Sequence, residues 1–429
     1  MNILMMTNTF TPHVGGVARS VLAFTEAYRA RGHRVLVVAP EFENMPEDEV
    51  DVLRLPAIQR FNGSDFSVVL PIPGFLTTAV ERFAPDLVHA HHPFLIGATA
   101  LRVARMEELP LVFTHHTMYE RYTHYVPGDS QTLKQFVINL STNYANLCDR
   151  VIAPSESIAA ILRQRQVTVP VDVIPTGVSL ARFAQGDGAA FRAAVGIPQD
   201  AFVVGHLGRL APEKNIAFLA QAVAAYLRDD SRAHVLVVGC GPSESAIDEA
   251  FAAVGLENRL HRAGVLDGTL LASAYHAMDV FAFASKSETQ GMVLTEAMAA
   301  GVPVVALNQP GAREVVRDGE NGRLLDGDRQ ADFVAALRWV ATRRPDALET
   351  LKRNALATAE AFSMDRSAER ALAMYQGLLG QGQPPSPEDD DVFSETLRMI
   401  RTEWDLLAGA AEAAAAALTG QDMGSSQGP

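Results

Sequence analysis

The sequence predicts an α/β protein made of two doubly wound, Rossmann-like domains in series, followed by a helical tail. Two observations carry this. Short runs that are apolar throughout alternate with stretches showing apolar residues at helical spacing, which is the pattern of parallel strands covered by helices on both faces. The series of such units then starts over near "AQGDGAAFRAAVGIPQD" at 184–200. A length of 429 residues fits two domains, each able to bury a core.

Residues 2–7 (NILMMT) form the first strand. "TPHVGGVARSVLAFTEAYRARGH" then gives a glycine loop and a helix with Val17, Val21, Phe24 and Tyr28 on one side. Strands follow at 34–40 (RVLVVAP), 86–92 (DLVHAHH) and 111–117 (LVFTHHT), the last two ending in polar residues. "RVIAPSESIAAIL" at 150–162 is a strand, then Ser155 as N-cap, then a helix, and "VDVIPTGVSLARF" at 171–183 closes the half. The second half has strands at 202–210, 234–242, 279–285 and 302–308, and its first helix at 215–227. The expected division is 1–190 and 191–365 as the two domains, a helix at 366–380 returning to the first, and an acidic linker, amphipathic helix and disordered end over 381–429. In that last helix Phe393, Leu397, Ile400, Trp404 and Leu407 recur at helical spacing.

Composition excludes several classes. Formal charge is -14, with 15 basic and 18 acidic residues in 1–190, 19 and 23 in 191–380, and 2 and 9 in 381–429. Half of the acidic excess therefore lies in the tail, and no basic surplus marks a nucleic-acid partner. Cys148 and Cys240 give neither a disulfide framework nor a CxxC metal spacing, in keeping with a reducing cytoplasm. The N-terminus lacks the basic region and apolar length of a signal peptide, and no run approaches roughly 18 apolar residues.

Ligands of doubly wound sheets sit beyond the carboxyl ends of the strands, and two facing sheets make a cleft lined from both sides. At the end of the 279–285 strand stands "SKSETQGMVLTEAMAAG". Gly291 opens a helix, so the amides of Gly291, Met292 and Val293 are donors at its positive end, a phosphate site. Glu296, one turn on, suits the vicinal hydroxyls of a ribose, and Glu288, before the helix, those of a second sugar. A sugar–diphosphate–nucleoside satisfies all three. The alternative is a capping carboxylate and a surface glutamate. "GRLAPEKN" places Arg209 and Lys214 at another strand end, where they clamp a diphosphate or form a solvated pair. Gly15 and Gly16 in "PHVGGV" allow close phosphate approach or a plain tight turn, and "VVGCGP" has Glu244 where the dinucleotide fingerprint requires glycine. Eight of the twelve histidines precede residue 125, but adjacent histidines at a strand end diverge and make poor joint metal ligands. "DGD" at 326–328 reads as a turn rather than a metal–diphosphate motif, and "GSSQG" at 424–428 lacks the strand and helix of a nucleophile elbow.

Over roughly residues 1–380 these pieces resemble the retaining GT-B glycosyltransferases of the family-4 type. The likeness rests on the order of "GGVARS", "THHT", "VIPTGV", "GRLAPEKN", "VVGCGP", "SETQGMVLTEAMAAG" and "GAREVVRDGENGRLL". It implies the GT-B fold and a UDP-sugar co-substrate held mainly by the second domain, with no metal and no other cofactor. Glu296 is then the ribose ligand and Glu288 the ligand of the transferred sugar. Gly239, Gly291, Met292 and Val293 contact the donor, Arg209 and Lys214 bind the diphosphate, and Gly15 and Gly16 approach it from the first domain. His116 faces the anomeric centre. Catalysis falls to His116, Arg209, Lys214 and Glu288, with retention by front-face attack assisted by the leaving phosphate.

"THHTMYERYTHYVP" at 114–127 and "VLRLPAIQRF…SDFSVVLP" at 52–71 resemble bacterial enzymes that glycosylate diacylglycerol at the membrane surface. His116, Tyr119, Tyr122 and Tyr125 then line the acceptor side, and the enzyme sits in the cytoplasm, peripheral on the inner face of the membrane. Packing aromatics are the alternative. Those relatives tend to carry a basic first-domain face, whereas this domain is acidic overall; Arg29, Arg31, Arg34, Arg163 and Arg165 are the candidate local patch. The acidic tail helix is read as docking or self-association rather than an anchor. Other readings are the same fold with a soluble acceptor (an inositol phosphate, a glycerate or an oligosaccharide), a non-hydrolysing nucleotide-sugar epimerase, a non-catalytic binding module, and a glycosidase using Glu288 and Glu296.

Overall fold

The computed structural model describes residues 1–13, 15–46, 48–58, 68–69, 75–121, 130–380 and 401–413. The chain divides into two compact units: Met1–Thr176 with Ser367–Pro429, and Gly177–Arg366. The division at Thr176/Gly177 precedes the 190/191 boundary expected from the sequence. The stretch in between, expected in the first domain, forms short helices, and Phe183, with the neighbouring Phe191, is buried in the core of the second unit.

The first unit is built on β1 (Asn2–Met6), α1 (Gly16–Arg29), β2 (Arg34–Pro40), β3 (Val52–Leu55), a short antiparallel pair β4 (Ala57–Ile58) and β5 (Val68–Val69), α2 (Phe75–Phe83), β6 (Leu87–Ala90), α3 (Ile96–Met106), β7 (Leu111–Thr114), α4 (Gln131–Asn146), β8 (Arg150–Ala153), α5 (Glu156–Gln164) and β9 (Val171–Val173). Seven strands make one parallel sheet in the order β3-β2-β1-β6-β7-β8-β9. Its central strands β6 and β7 are buried at every position, as continuous apolar runs require when helices cover both faces. Ser155 caps α5 by accepting from the Ile158 amide at 3.3 Å.

The second unit comprises α6 (Leu180–Phe183), α7 (Gly188–Ala194), β10 (Phe202–Leu207), α8 (Ile216–Asp229), β11 (Ala233–Val238), α9 (Glu244–Ala252), β12 (Leu260–Gly264), α10 (Gly268–His276), β13 (Val280–Phe283), α11 (Met292–Ala299), β14 (Val304–Leu307), β15 (Gly322–Leu325), α12 (Gln330–Ala341) and α13 (Pro345–Ala361). Its parallel sheet has the order β12-β11-β10-β13-β14-β15. In each unit the winding direction reverses once, between β1 and β6 and between β10 and β13. A crevice opens beyond the carboxyl ends of the strands at such a reversal.

α14 (Met364–Gly380) starts in the second unit, and from Ser367 it belongs to the first. There Tyr375 joins a buried hydrogen-bonded chain, Tyr28–Tyr375–His89–Thr114, at 3.2, 2.6 and 2.7 Å. A helix over 401–413 also lies on the first unit. The Arg102 guanidinium donates to both oxygens of Glu403, Asn143 Nδ2 donates to the Gly409 carbonyl at 3.0 Å, and Leu406 packs against the core. The spacing expected to define its apolar face places Trp404 and Leu407 together, yet these are 71% and 67% exposed while Thr402 and Ala413 are buried. The docked face instead carries Thr402, Leu406, Gly409 and Ala413. Phe393, Leu397 and Ile400 lie outside the described residues.

Candidate functional site

The residues expected to bind a donor converge at the reversal of the second sheet. Beyond β10 the chain passes Gly208 and Arg209 and makes a single helical turn, Pro212–Lys214, before Asn215 starts α8 in a left-handed conformation (φ 57°). Beyond β13, residues 284–290 lead to α11. Ser287 Oγ donates to the Glu213 carbonyl at 3.2 Å, stitching the two loops together. Lys214 Nζ donates to Glu288 Oε1 at 2.5 Å, and each side chain is about one-fifth exposed. Beneath them His206 donates from Nδ1 to the Ala282 carbonyl at 3.0 Å, and burial pushes its pKa down to about 4. Its ring is therefore neutral near pH 7 and adds no positive charge beside Lys214. Arg209 is exposed in its loop.

Gly291 is the N-cap of α11, at φ 72° and ψ 52°, and as a glycine it has no side chain with which to cap the helix. The left-handed conformation favours glycine, and the amides of the first turn form the positive end of the helix, the end that suits an anion. Glu296 accepts a hydrogen bond on Oε2 from the Tyr275 hydroxyl at 2.8 Å. A second glycine closes the loop from behind. Gly311, at φ +85°, follows β14, and a Cβ there would stand 2.8 Å from Glu288 Cβ and 2.9 Å from the Gln290 carbonyl carbon. A carboxylate, an ammonium, first-turn amides and a second carboxylate thus gather at one helix end, an arrangement suited to a diphosphate flanked by hydroxyl-bearing groups.

Gly239, at φ +120°, ends β11, where a Cβ would meet the Gly208 carbonyl oxygen at 2.1 Å. The next turn is tied to the Arg209 loop, with the Leu210 amide donating to Cys240 O at 3.0 Å and the Ser243 amide to Leu210 O at 2.8 Å. Glu244 accepts from the Gly241 amide at 2.9 Å, so it secures the turn. In the DGD stretch, Asp326 accepts from Asn308 Nδ2 at 2.8 Å and Asp328 from Lys286 Nζ at 2.5 Å, tying three loops together.

In the first unit Gly15 is the N-cap of α1, again without a side-chain cap, and Gly16 is the helix's first residue. A Cβ on Gly15 would stand 3.0 Å from the His13 ring. His116 follows β7 and pairs with His91, whose Nδ1 lies 2.9 Å from His116 Nε2, with the rings stacked at 5.2 Å. Burial pushes His116 down to about 3 and His91 well below its usual value, so the pair is neutral near pH 7, one ring donating and the other accepting. His92 Nδ1 accepts from the Asn8 amide at 3.1 Å, tying the β1 and β6 loops. Tyr119 turns its ring against Phe94 and His115, at 5.1 and 5.7 Å between centroids, and so packs its own loop. Tyr122 and Tyr125 lie outside the described residues.

The candidate basic patch is partly spent inside the fold. Arg29 donates to the carbonyls of Val35, Val50 and Asp51, Arg34 lies over the Phe83 ring, and Arg165 pairs with Glu120 at 2.7 Å. Among the described residues no three His, Cys, Asp or Glu side chains converge as metal ligands, and no helix is long and apolar enough to cross a membrane. Tyr275 carries no signal in the sequence, while Gly311 and His91 lie in the runs "GAREVVRDGENGRLL" and "DLVHAHH", which do not reveal their contacts: each of the three meets a neighbour distant along the chain.

Comparison with known proteins follows the same division. The sequence matches the family described as Glycosyltransferase Family 4 over residues 14–182, and that described as Glycosyl transferases group 1 over residues 187–357. It is 28% identical over 399 residues to an alpha-monoglucosyldiacylglycerol synthase of Acholeplasma laidlawii, covering 88% of this chain and 98% of that protein. It is 37% identical over 303 residues to a D-inositol 3-phosphate glycosyltransferase of Actinosynnema mirum, covering 68% of this chain and 72% of that one. Among solved structures, Anabaena Alr3699/HepE in complex with UDP superposes with a TM-score of 0.69 at 22% identity, over 88% of this chain and 100% of that chain.

Proposed function

This chain belongs to the family-4 glycosyltransferases of GT-B fold, and from that premise we propose that it moves a hexose or hexuronate from a UDP-sugar to diacylglycerol, with retention and without a metal ion. The single observation that carries the donor half is the arrangement around α11: Lys214 bonded to Glu288 at 2.5 Å in the loops that lead to a helix N-terminus whose cap residue, Gly291, has no side chain. Lys214, Arg209 and the amides of Met292 and Val293 take the diphosphate and offset the charge that develops as it leaves. Glu288 receives hydroxyls of the transferred sugar, and Glu296 those of the ribose. Gly239 keeps the neighbouring turn close, and Gly15 and Gly16 offer further backbone amides.

Attack on the anomeric carbon comes from the face the diphosphate leaves, and the leaving phosphate oxygen takes the acceptor's proton. No side-chain base is then required, and the protein's work is positioning and charge stabilisation. In this reading the acceptor is the task of the first unit, with His116, neutral and braced by His91, as its candidate residue. The lipid acceptor is supported by similarity over nearly the whole of an alpha-monoglucosyldiacylglycerol synthase. It implies work at the cytoplasmic face of the membrane as a peripheral enzyme. The second reading, a soluble acceptor such as an inositol phosphate, is favoured by the higher identity to a D-inositol 3-phosphate glycosyltransferase.

The test incubates the protein with labelled UDP- and GDP-sugars in EDTA, with diacylglycerol in mixed micelles or with inositol phosphates. A labelled glycolipid formed from a UDP-sugar is the expected product. Transfer only to a soluble acceptor would replace the lipid reading with the second. Dependence on added magnesium would overturn the metal-free mechanism.

A further inference from the structure

Tyr275 is fully buried on α10, inside the core of the second unit. Its ring packs edge-on against Phe183 at 5.6 Å and tilted against Phe281 at 5.9 Å. The next residue, His276, bonds through Nε2 to the Phe183 carbonyl at 2.8 Å, fixing the end of the helix. The phenol is therefore held by its surroundings, and only its polar tip reaches α11. There the hydroxyl lies 2.8 Å from Glu296 Oε2 and 3.4 Å from the Val293 carbonyl one turn earlier. A glutamate side chain has three rotatable bonds and loses much freedom when ordered. A rigid donor buried in the core orders it before any ligand arrives. A hydrogen bond donated to one oxygen leaves the carboxylate an acceptor, so it recognises hydroxyls and not other acceptors.

We propose that Tyr275 is a positioning residue that holds the Glu296 carboxylate where it meets the ribose hydroxyls, and so sets the preference for ribonucleotide over deoxyribonucleotide donors. This rests on Glu296 being the ribose ligand, as in the reading above. Tyr275 touches neither donor nor acceptor; it acts through the carboxylate it aligns.

The test compares Tyr275→Phe, Glu296→Gln and the double variant, using calorimetric binding of UDP and of 2′,3′-dideoxy-UDP and the kinetics of sugar transfer. Phenylalanine keeps the ring packing and removes only the hydroxyl. Y275F is expected to weaken UDP about tenfold, as loss of a hydrogen bond to a charged group implies. Binding of the dideoxy analogue should match that of the unaltered protein. KM for the donor should rise while kcat falls much less, because the ribose lies away from the bond that breaks. The double variant should bind UDP no more weakly than E296Q alone. If E296Q weakens UDP while Y275F does not, or if Y275F weakens both nucleotides equally, the role of Tyr275 is refuted and the ribose assignment stands. If E296Q leaves UDP binding unchanged, both fall. Should Y275F fail to fold, Glu296→Asp reads the same coupling, since it draws the carboxylate back from the Tyr275 hydroxyl while keeping the charge. E296D must then lose ribose preference to the level of E296Q, and retention of the full preference refutes the proposal.

Discussion

Replacing Lys214 by alanine removes an ammonium bonded to Glu288 and, in the proposed reading, placed on the diphosphate. Two consequences of different size follow. A unit charge about 4 Å from a phosphate oxygen, at an effective dielectric of about 20, contributes roughly 4 kcal/mol. Part of that is realised only as charge builds on the leaving group, so kcat should fall about 10²–10³-fold, as when one preorganised donor is lost elsewhere. The effect on folding is smaller. The Lys214 and Glu288 side chains retain 19% and 18% exposure, so water reaches the carboxylate left behind. The loss is then about 1–2 kcal/mol after allowance for screening, or a few degrees in the melting temperature of a unit this size. Initial rates of labelled sugar transfer and a calorimetric melt separate the two. Lys214→Ala and Glu288→Ala combined should be little worse than the poorer single variant, since they act as one assembly. A K214A enzyme retaining more than about a tenth of its kcat would refute the assignment of Lys214 to the leaving group.

Other expectations concern the loop behind the site and the histidine cluster. Gly311→Ala adds a methyl 2.8 Å from Glu288 Cβ at φ +85°, whereas Gly319→Ala adds one at φ +79° with nothing within 4 Å. Both should lose about 1–2 kcal/mol of stability to the backbone conformation; only G311A should also lose transfer activity, and equal kinetic damage in both would show that Glu288 is not displaced. His89, His92, His115 and His116 are each pushed down to about 3 by burial, so the folded state binds fewer protons than the unfolded state below about pH 6.5. Their contribution to stability is complete above that pH and is lost as pH falls toward 3, at about 1.4 kcal/mol per pH unit for each histidine. The melting temperature should therefore drop steeply between pH 6.5 and 5, and a flat profile there would show the histidines to be accessible and protonated in the fold.

Much of the architecture was legible because the central strands are apolar throughout. "RVLVVAP", "LVFTHHT" and "HVLVVGCGP" each announce a buried parallel strand, and each is one. The edge strands β12 (LHRAG) and β15 (GRLL) were not, since partial exposure lets charged residues interrupt the run. The residues after Thr176 fall to the first domain on sequence because "VDVIPTGVSLARF" reads as the close of that half, whereas Phe183 and Phe191 are buried in the core of the second unit. In the site, Glu288, Gly291 and Glu296 lie within one short segment, so spacing reveals them. Lys214 is recognisable only as a cation after a strand, and its bond to Glu288 comes from the reversal of strand order between β10 and β13. Tyr275 is a core aromatic whose hydroxyl meets α11, which its sequence position does not reveal, and Gly311, though it opens the "GAREVVRDGENGRLL" run, packs on Glu288, 23 positions away.

The most direct test is a crystal structure with UDP bound in the presence of EDTA. The diphosphate should lie on the amides of Met292 and Val293 beside Lys214 and Arg209, with the ribose hydroxyls on Glu296 and no ion between phosphate and protein. UDP seated away from the α11 N-terminus, or held there only when magnesium is supplied, would contradict the account.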